Sequence, residues 1–368
     1  MQSLFMTELS QFVAQRAPLR MPPGCSMEAP TSFGANASMV KVISRVSVRA
    51  ITALLAAVTL LSACGGSSSG DTPAPAPTDQ LVSATVSGFP NPIDIYRTTG
   101  ATRAIVLLHG GGGDKSAIAY QVGLNADAST TSASTIHWAW LDANKVMLVV
   151  PQGQHLASEP NGTTWSNYAM NSGQDDKAFL QALAAKLRSD YGMASITLMG
   201  HSMGGVMTNR MWCESPGTFD SYVSLAGPAS SEFNKAATPC APGSAARPYM
   251  GIIGDSDDIM QTAGVWEAAT WTVNPTVVLA SVTAWDNNVV IGEFHQQQAR
   301  ASIVCGGTLA STAFTNAGNV DTWVSCANKL VLKRVHGAEH GVASIDAQMG
   351  ASSNLDVMNA VMGFVAGF

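Results

Sequence analysis

The chain has 368 residues, a formal net charge of −6 and only 12% charged residues. No basic stripe is present, which argues against nucleic acid as a partner. The residues after the N-terminal region, about 81–368, suit one α/β domain, because such folds often exceed roughly 200 residues without dividing.

Residues 39–63 have the pattern of a bacterial lipoprotein signal peptide. An apolar stretch at 50–61, too short to span a bilayer, follows three basic residues: Lys41, Arg45 and Arg49. The residues Leu61-Ser62-Ala63-Cys64 resemble a lipobox, which implies cleavage before Cys64 and lipid attachment to its thiol. The alternative is an ordinary secretory signal with a chance cysteine. Both interpretations predict export.

Two further segments near the N-terminus lack the features of a packed domain. Residues 1–38 form an N-terminal extension without clear periodicity, and Met39 lies just before the signal peptide, so we expect translation to begin at Met39. Residues 64–80 comprise the cysteine and a linker rich in Gly, Ser, Pro, Ala and Thr, which predicts a flexible tether.

The remaining residues, 81–368, alternate between apolar strands and helices. Strands are predicted at 103–108, 145–150, 196–199, 222–225, 249–253 and 330–335. Helices are predicted at 175–188, 203–213 and 354–365. Continuous apolar strands alternating with helices favour an α/β fold whose mostly parallel sheet is covered by helices on both faces.

A G-x-S-x-G motif, Gly200-His201-Ser202-Met203-Gly204, joins the strand at 196–199 to the helix at 203–213. This is the pattern of the nucleophile elbow of α/β-hydrolases, in which a sharp turn exposes a serine hydroxyl above the sheet. The glycines are needed because a Cβ there would collide with neighbouring chain. The motif predicts Ser202 as a nucleophile and the Met203 N–H as an oxyanion donor.

An activated serine needs a histidine base and a carboxylate, which in this fold follow the serine along the chain. Three aspartates, Asp255, Asp257 and Asp258, come after the predicted strand at 249–253. Two histidines, His336 and His340, come after the strand at 330–335. The required order is therefore present, with more than one candidate at each place.

The glycine-rich loop from His109 to Gly113 is expected to supply a second oxyanion donor, the N–H of Gly111. It is not a phosphate-binding loop, because Asp114 stands where that motif requires glycine before lysine. His109 is expected to have a structural role. Trp165 is expected to line the substrate cleft, with a core position as the alternative.

Two other groups of residues have structural interpretations. Asp175 and Asp176 are expected to cap a helix, where carboxylates meet free N–H groups. Apart from Cys25 and Cys64, four cysteines remain, and an exported domain favours disulfides over free thiols. We expect the sequence-local pairs, Cys213–Cys240 and Cys305–Cys326, among three possible pairings.

Several short matches give a more specific resemblance: Leu107-Leu108-His109-Gly110, Pro151-Gln152-Gly153, Thr164-Trp165-Ser166, Asp175-Asp176, the elbow, Gly254-x-x-Asp257 and Gly337-x-x-His340. Over about residues 100–345 the chain resembles the secreted polyhydroxybutyrate depolymerase and feruloyl esterase group of α/β-hydrolases. The resemblance implies Ser202 as nucleophile, Asp257 as acid and His340 as base. The group often has Trp-Pro after the histidine and Asp-Pro at the acid. This chain has Gly341-Val342 and Asp257-Asp258 instead, so the acyl and alcohol preferences of the group transfer poorly to it.

We therefore expect a serine esterase that acts on an ester substrate, possibly polymeric, and requires no cofactor and no metal. It is expected in the cell envelope, anchored to a membrane by lipid on Cys64 and facing the periplasm or the cell surface, or outside the cell. Trp266, Trp271 and Trp285, in the segment 258–304, either cap the site or pack on the body.

Two hypotheses from other classes compete with the esterase. One is a non-catalytic surface lipoprotein that binds a ligand in a hydrolase-like cleft. The other is a zinc metallopeptidase, because His336-x-x-Glu339-His340 matches the H-x-x-E-H zinc signature. That signature needs a helix, whereas a strand precedes it here and Gly337 and Gly341 disfavour a helix.

Overall fold

A computed structural model of the chain describes residues 78–157, 162–234, 237–243, 246–257, 259, 293–310, 312–350 and 353–368. The chain divides into two compact units, Met1–Asp71 and Thr72–Phe368, and the described residues belong to the second. The predicted extension, signal peptide, Cys64 and most of the linker lie outside the described residues, as do Asp258, Trp266, Trp271 and Trp285.

A ten-stranded sheet forms the centre of this unit, with the order β1-β2-β4-β3-β5-β6-β7-β10-β9-β8. The strands are β1 (Gln80–Ala84), β2 (Ile93–Arg97), β3 (Arg103–Leu108), β4 (Val146–Pro151), β5 (Ser195–His201), β6 (Ser221–Leu225), β7 (Tyr249–Gly254), β8 (Phe314–Ala317), β9 (Val320–Ser325) and β10 (Leu330–Val335). The six central strands, from β4 to β10 in this order, pair in parallel. Antiparallel strands flank them at both edges.

Seven α-helices accompany the sheet within the described residues. They are α1 (Lys115–Gln121), α2 (Trp138–Asn144), α3 (Asp176–Tyr191), α4 (Met203–Glu214), α5 (Glu293–Cys305), α6 (Val342–Met349) and α7 (Asp356–Val365). None of these helices is both long enough and apolar enough to cross a membrane.

The sheet has a hydrophobic core on each face, because side chains of a strand alternate between the two sides. In β3, Ile105 and Leu107 pack in one cluster with residues of α1, α2, α6 and α7. Val106 and Leu108 pack in the other cluster with residues of α3, α4 and α5. A mostly parallel sheet with helices on both faces is the α/β-hydrolase fold that the sequence predicts.

Local capping explains why α3 begins and ends where it does. The side chain of Asp175 accepts a hydrogen bond from the N–H of Ala178, as expected for an N-cap. Gly192 ends the helix in the left-handed conformation, at a φ of 66°. The helix predicted at 175–188 therefore forms, beginning after the Asp175 cap and continuing three residues beyond the predicted end, to Tyr191.

Both disulfides form in the predicted pairing. Cys213, in the last turn of α4, is bonded to Cys240, 27 residues later. Cys305, at the end of α5, is bonded to Cys326, in the turn between β9 and β10. The first bond ties the helix that begins at the elbow to the 237–243 segment.

Candidate active site

Ser202 lies in a strained turn between β5 and α4. Its φ of 51° and ψ of −118° are unusual for a residue with a side chain. Two backbone hydrogen bonds hold this conformation: the Ser202 N–H donates to Leu225, and its carbonyl accepts from Val206, both over 2.9 Å. The turn has the strand-to-helix geometry that the G-x-S-x-G motif predicts.

The flanking glycines are required by close backbone approach. A Cβ added to Gly204 would lie 2.6 Å from the carbonyl oxygen of Leu108 and 2.7 Å from that of His109. A Cβ added to Gly200 would collide with the backbone of Gly204 itself. The elbow can therefore turn this tightly only when Gly200 lacks a side chain, and it can pack against the end of β3 only when Gly204 lacks one.

Asp257 and His340 meet where two neighbouring strands end. β7 and β10 pair in parallel, with Gly254 opposite Val335, so the loops after them leave the same edge of the sheet. There His340 Nδ1 lies 2.8 Å from Asp257 Oδ2, and the side chains are 13% and 1% exposed. This is the acid–base pair that the resemblance implies.

His201 links this pair to the elbow. Its Nε2 donates to the carbonyl oxygen of His340 over 2.9 Å, and the two imidazole centroids are 5.0 Å apart. Burial, with a smaller contribution from His340, lowers the pKa of His201 to about 3. His201 is therefore neutral. Because it directly precedes Ser202, its hydrogen bond holds the backbone of His340 next to the elbow.

The other candidates on these loops have different partners. The carboxylate of Asp255 contacts His336 Nδ1 at 2.8 Å and accepts from the N–H of Gly337 at 2.7 Å. His336 Nε2 contacts the carboxylate of Asp321 on β9 at 3.0 Å. Asp255 and His336 therefore form a second aspartate–histidine pair, which the sequence analysis did not foresee.

The loop from His109 to Gly113 is shaped by a buried, neutral histidine. His109 Nδ1 donates to the carbonyl of Gly110 over 2.7 Å, while Nε2 accepts from the Gly153 N–H at 2.9 Å and the Gln152 amide at 3.1 Å. Burial lowers the pKa of His109 to about 4, although the bond to Gly110 opposes the shift. These contacts agree with a structural role for His109.

The same loop lies directly against the elbow. A Cβ added to Gly110 would lie 3.1 Å from Ser202 Cβ, and one added to Gly111 would lie 3.2 Å from Met203 Cγ. The N–H groups of Gly112 and Gly113 are already bonded, to the carbonyls of Thr163 and Gly110. The loop N–H of Gly111 is therefore a better candidate oxyanion donor than those of Gly112 and Gly113.

The position of Trp165 contradicts the prediction that it lines the substrate cleft. Its side chain is 0% exposed and packs in the core with Leu108 and Phe179. The indole N–H donates to the carbonyl of His109 over 2.9 Å. Trp165 is thus a core residue whose indole supports the glycine-rich loop.

Two residues of the 166–176 segment make contacts that the sequence did not predict: Asn167 supports the elbow, and Asp176, in the first turn of α3, bonds to the preceding segment where a helix cap was expected. The Asn167 amide donates to the carbonyl of Met203 over 2.8 Å. Asp176 is fully buried and accepts hydrogen bonds from the Ser166 N–H and the Ser172 hydroxyl. Burial raises the pKa of Asp176, although these donors oppose the shift. Asn167 lies in a polar run without periodicity, so nothing in the sequence indicates its contact with Met203.

The H-x-x-E-H residues do not form the helix that zinc binding by this motif requires. They lie in the loop between the end of β10 at Val335 and the start of α6 at Val342. The rings of His336 and His340 engage different aspartates, as described above. Among the described residues, no group of three or more His, Cys, Asp and Glu side chains is arranged to hold a metal ion.

No family model and no curated protein matches the chain. An acetyl xylan esterase from Aspergillus awamori is similar in structure, with a TM-score of 0.48, 14% identity, and coverage of 77% of this chain and 99% of that one. A feruloyl esterase module from Clostridium thermocellum, complexed with sinapinate, gives a TM-score of 0.41, 14% identity, and coverage of 74% and 86%. An α/β serine hydrolase from Xanthomonas campestris gives a TM-score of 0.38 and 12% identity, and the match covers 79% of this chain and 95% of that one. At such low similarity, what those proteins act on is not carried over to this chain.

Proposed function

We propose that the protein is a serine esterase that hydrolyses carboxylic esters through Ser202, His340 and Asp257. The observation that carries the proposal is the 2.8 Å hydrogen bond between His340 and a buried Asp257, formed at the sheet edge where the strained Ser202 turn also lies. This combination of a serine on a strained turn, an imidazole and an orienting carboxylate is the arrangement that activates a serine hydroxyl.

In the proposed acylation step, the Ser202 hydroxyl oxygen attacks the ester carbonyl carbon while His340 Nε2 accepts the hydroxyl proton. Asp257 accepts the hydrogen bond from His340 Nδ1, which holds the imidazole in the tautomer whose Nε2 carries a lone pair. The carboxylate also stabilises the imidazolium that forms. His340 then donates its proton to the departing alcohol, and the acyl group remains on Ser202.

The carbonyl oxygen becomes negatively charged in the tetrahedral intermediate, so it needs donors that are already in place. The Met203 N–H, at the N-terminus of α4, and the Gly111 N–H are the proposed pair. Asn167 holds the backbone of Met203, and the His109 contacts hold the glycine loop. In deacylation, water attacks the acyl-enzyme by the same steps, with His340 as the base.

The two disulfides indicate an oxidising, extracytoplasmic environment. Within that environment we propose a cell-envelope lipoprotein, attached to a membrane through lipid on Cys64. The candidate substrates are a polyhydroxyalkanoate-type polyester, a feruloyl or acetyl ester of a polysaccharide, and a small soluble ester; the residues beside Asp257 and His340 differ from those of the resembling group, so the ester panel below has to distinguish them.

The proposal is tested by measuring hydrolysis of a panel of aryl and alkyl esters of increasing acyl length, with and without EDTA. We expect saturable hydrolysis of at least one class of ester, with a rate that EDTA does not change. Loss of activity on chelation would support the metallopeptidase hypothesis instead. A folded protein that binds esters without hydrolysing them would support the non-catalytic cleft.

A further inference from the structure

A second histidine near the candidate triad lies between two carboxylates. His336 Nδ1 is 2.8 Å from Asp255 Oδ2, and His336 Nε2 is 3.0 Å from Asp321 Oδ2. The three residues come from three places in the chain: the loop after β7, the strand β9 and the loop after β10. None of them has a role in the chemistry proposed above.

The two contacts place one nitrogen of the imidazole against each carboxylate, and an N–H on either nitrogen can donate to the carboxylate beside it. The ring of His336 therefore bridges Asp255 and Asp321.

Asp321 provides a rigid end for this link. It lies on β9 opposite Arg334 of β10, and the Arg334 guanidinium donates to its carboxylate through Nε at 3.0 Å and through Nη2. The amide of Asn316 on β8 donates to its other oxygen over 2.8 Å. Burial alone would raise the pKa of Asp321, but hydrogen bonds from Asn316 and Arg334, and nearby positive charge, lower it.

Asp255 forms the other end of the link, in the loop after β7 and two residues before Asp257. Its carboxylate also accepts from the Gly337 N–H over 2.7 Å, and its own N–H donates to the carbonyl of Val335 over 3.1 Å. One residue further, the Ser256 N–H donates to Ala338 over 3.0 Å. The acid-bearing and base-bearing loops are thus joined around His336.

We infer that His336, bonded to Asp255 and Asp321, is a positioning residue that holds the loop carrying Asp257 in register with the loop carrying His340. The inference rests on the proposed function, because it assigns His336 the task of aligning the proposed acid with the proposed base. His336 does not touch substrate. Its loss lets the Asp257 carboxylate move relative to His340, and small misplacements of catalytic groups lower rates sharply.

The inference is tested in the full chain with His336→Gln, Asp255→Asn and the double variant. Each single variant should lower kcat about tenfold, with KM within about twofold, because alignment of the base changes while the substrate contacts do not. The double variant should lose no more than either single variant, since both break the same link. His137→Gln, at an exposed histidine that caps α2, is the matched control and should keep the parent kcat.

A second readout does not depend on activity. The proton between His340 and Asp257 should give a downfield NMR resonance, assigned by its absence in Asp257→Asn, and this resonance should shift or broaden in His336→Gln.

If the parent hydrolyses no ester, the proposed function fails, and the resonance still tests the link. The inference is overturned if His336→Gln keeps kcat within twofold and the resonance unchanged, or if the losses of the single variants multiply in the double variant. Should His336→Gln not fold, Asp255→Asn gives the same two readouts.

Discussion

The Nδ1 atom of His340 lies 2.8 Å from Oδ2 of Asp257, although the two residues are 83 positions apart in the chain. Parallel pairing of β7 with β10 brings them together, because both strands end at the same edge of the sheet. The Asp257 side chain is almost fully buried, so it has little freedom to point elsewhere. The sheet register therefore selects this pair from the several aspartates and histidines on the two loops.

Replacement of the proposed acid should be far more damaging than replacement of its neighbour. Asp257→Asn should lower kcat by about 10⁴-fold, because an amide can stabilise the wrong tautomer of His340. Asp255→Asn should lower it only about tenfold, through the His336 link. Steady-state kinetics on the best ester of the panel, with circular dichroism to check folding, measures both. A larger loss in folded Asp255→Asn would assign the acid role to Asp255.

The central strands could be predicted from sequence because each contains a run of apolar residues, although β10 also carries Lys333 and Arg334. β3 and β10 have the predicted bounds, and β5 extends the predicted strand by one residue before it and two after it. The edge strands could not be predicted in this way. All four residues of β8 are exposed, so Phe314–Ala317 has no buried face to create a pattern. Pairing with β9 alone makes this segment a strand.

The candidate site shows a similar division. Ser202 could be proposed from its motif, whereas chain order left three aspartates and two histidines as candidates, and the resemblance alone pointed to Asp257 and His340. The positions of Trp165 and Asn167 depend on how the 162–174 segment folds over the elbow, and this segment has no regular periodicity. The contact between His336 and Asp321 could not be predicted, because it depends on the pairing of β9 with β10, and β9 was not predicted as a strand.

Trp165→Phe should destabilise the fold without changing ester preference. The indole N–H donates to the buried carbonyl of His109, and an unpaired buried acceptor costs about 1–3 kcal/mol. Urea denaturation measures this cost, and the ester panel measures preference. Trp138→Phe is the matched control, because its indole donates to the exposed carbonyl of Ala133 and its loss should cost less. A changed order of preferred esters in Trp165→Phe would indicate that Trp165 lines the substrate cleft after all.

The stability of the protein should fall on mild acidification because of its buried neutral histidines. The pKa of His109 is lowered from 6.5 to about 4, and that of His201 from 6.5 to about 3. Between these values and 6.5 the unfolded state binds more protons than the folded state, so stability rises with pH across this window and is lost as pH falls.

His201→Gln should reduce the pH dependence of stability below pH 6.5, the ordinary value for histidine. Each such histidine contributes a slope of up to about 1.4 kcal/mol per pH unit. Urea denaturation at intervals from pH 7 to pH 4 measures the slope for the parent and the variant. An identical slope in both would show that His201 does not stay neutral in the folded protein.

Cys64→Ser should release the protein from membranes or block its processing. The expectation follows from Leu61 and the small residues Ser62 and Ala63 before this cysteine, which match a lipobox. Membrane fractionation and the mass of the mature N-terminal peptide provide the measurement. Ser69→Ala, in the predicted linker after the cysteine, serves as the control and should fractionate like the parent. A membrane-bound and normally processed Cys64→Ser protein would contradict lipid attachment at this site.

Covalent labelling by a fluorophosphonate is the decisive test of Ser202 as the nucleophile. We expect one labelled peptide, containing Ser202, and labelling that disappears in Ser202→Ala together with an about 10⁴-fold or greater loss of ester hydrolysis. Ser189→Ala, at an exposed serine in α3, should label and hydrolyse like the parent. Absence of labelling in the folded parent, or ester hydrolysis retained in folded Ser202→Ala, would contradict the assignment of Ser202 as the nucleophile.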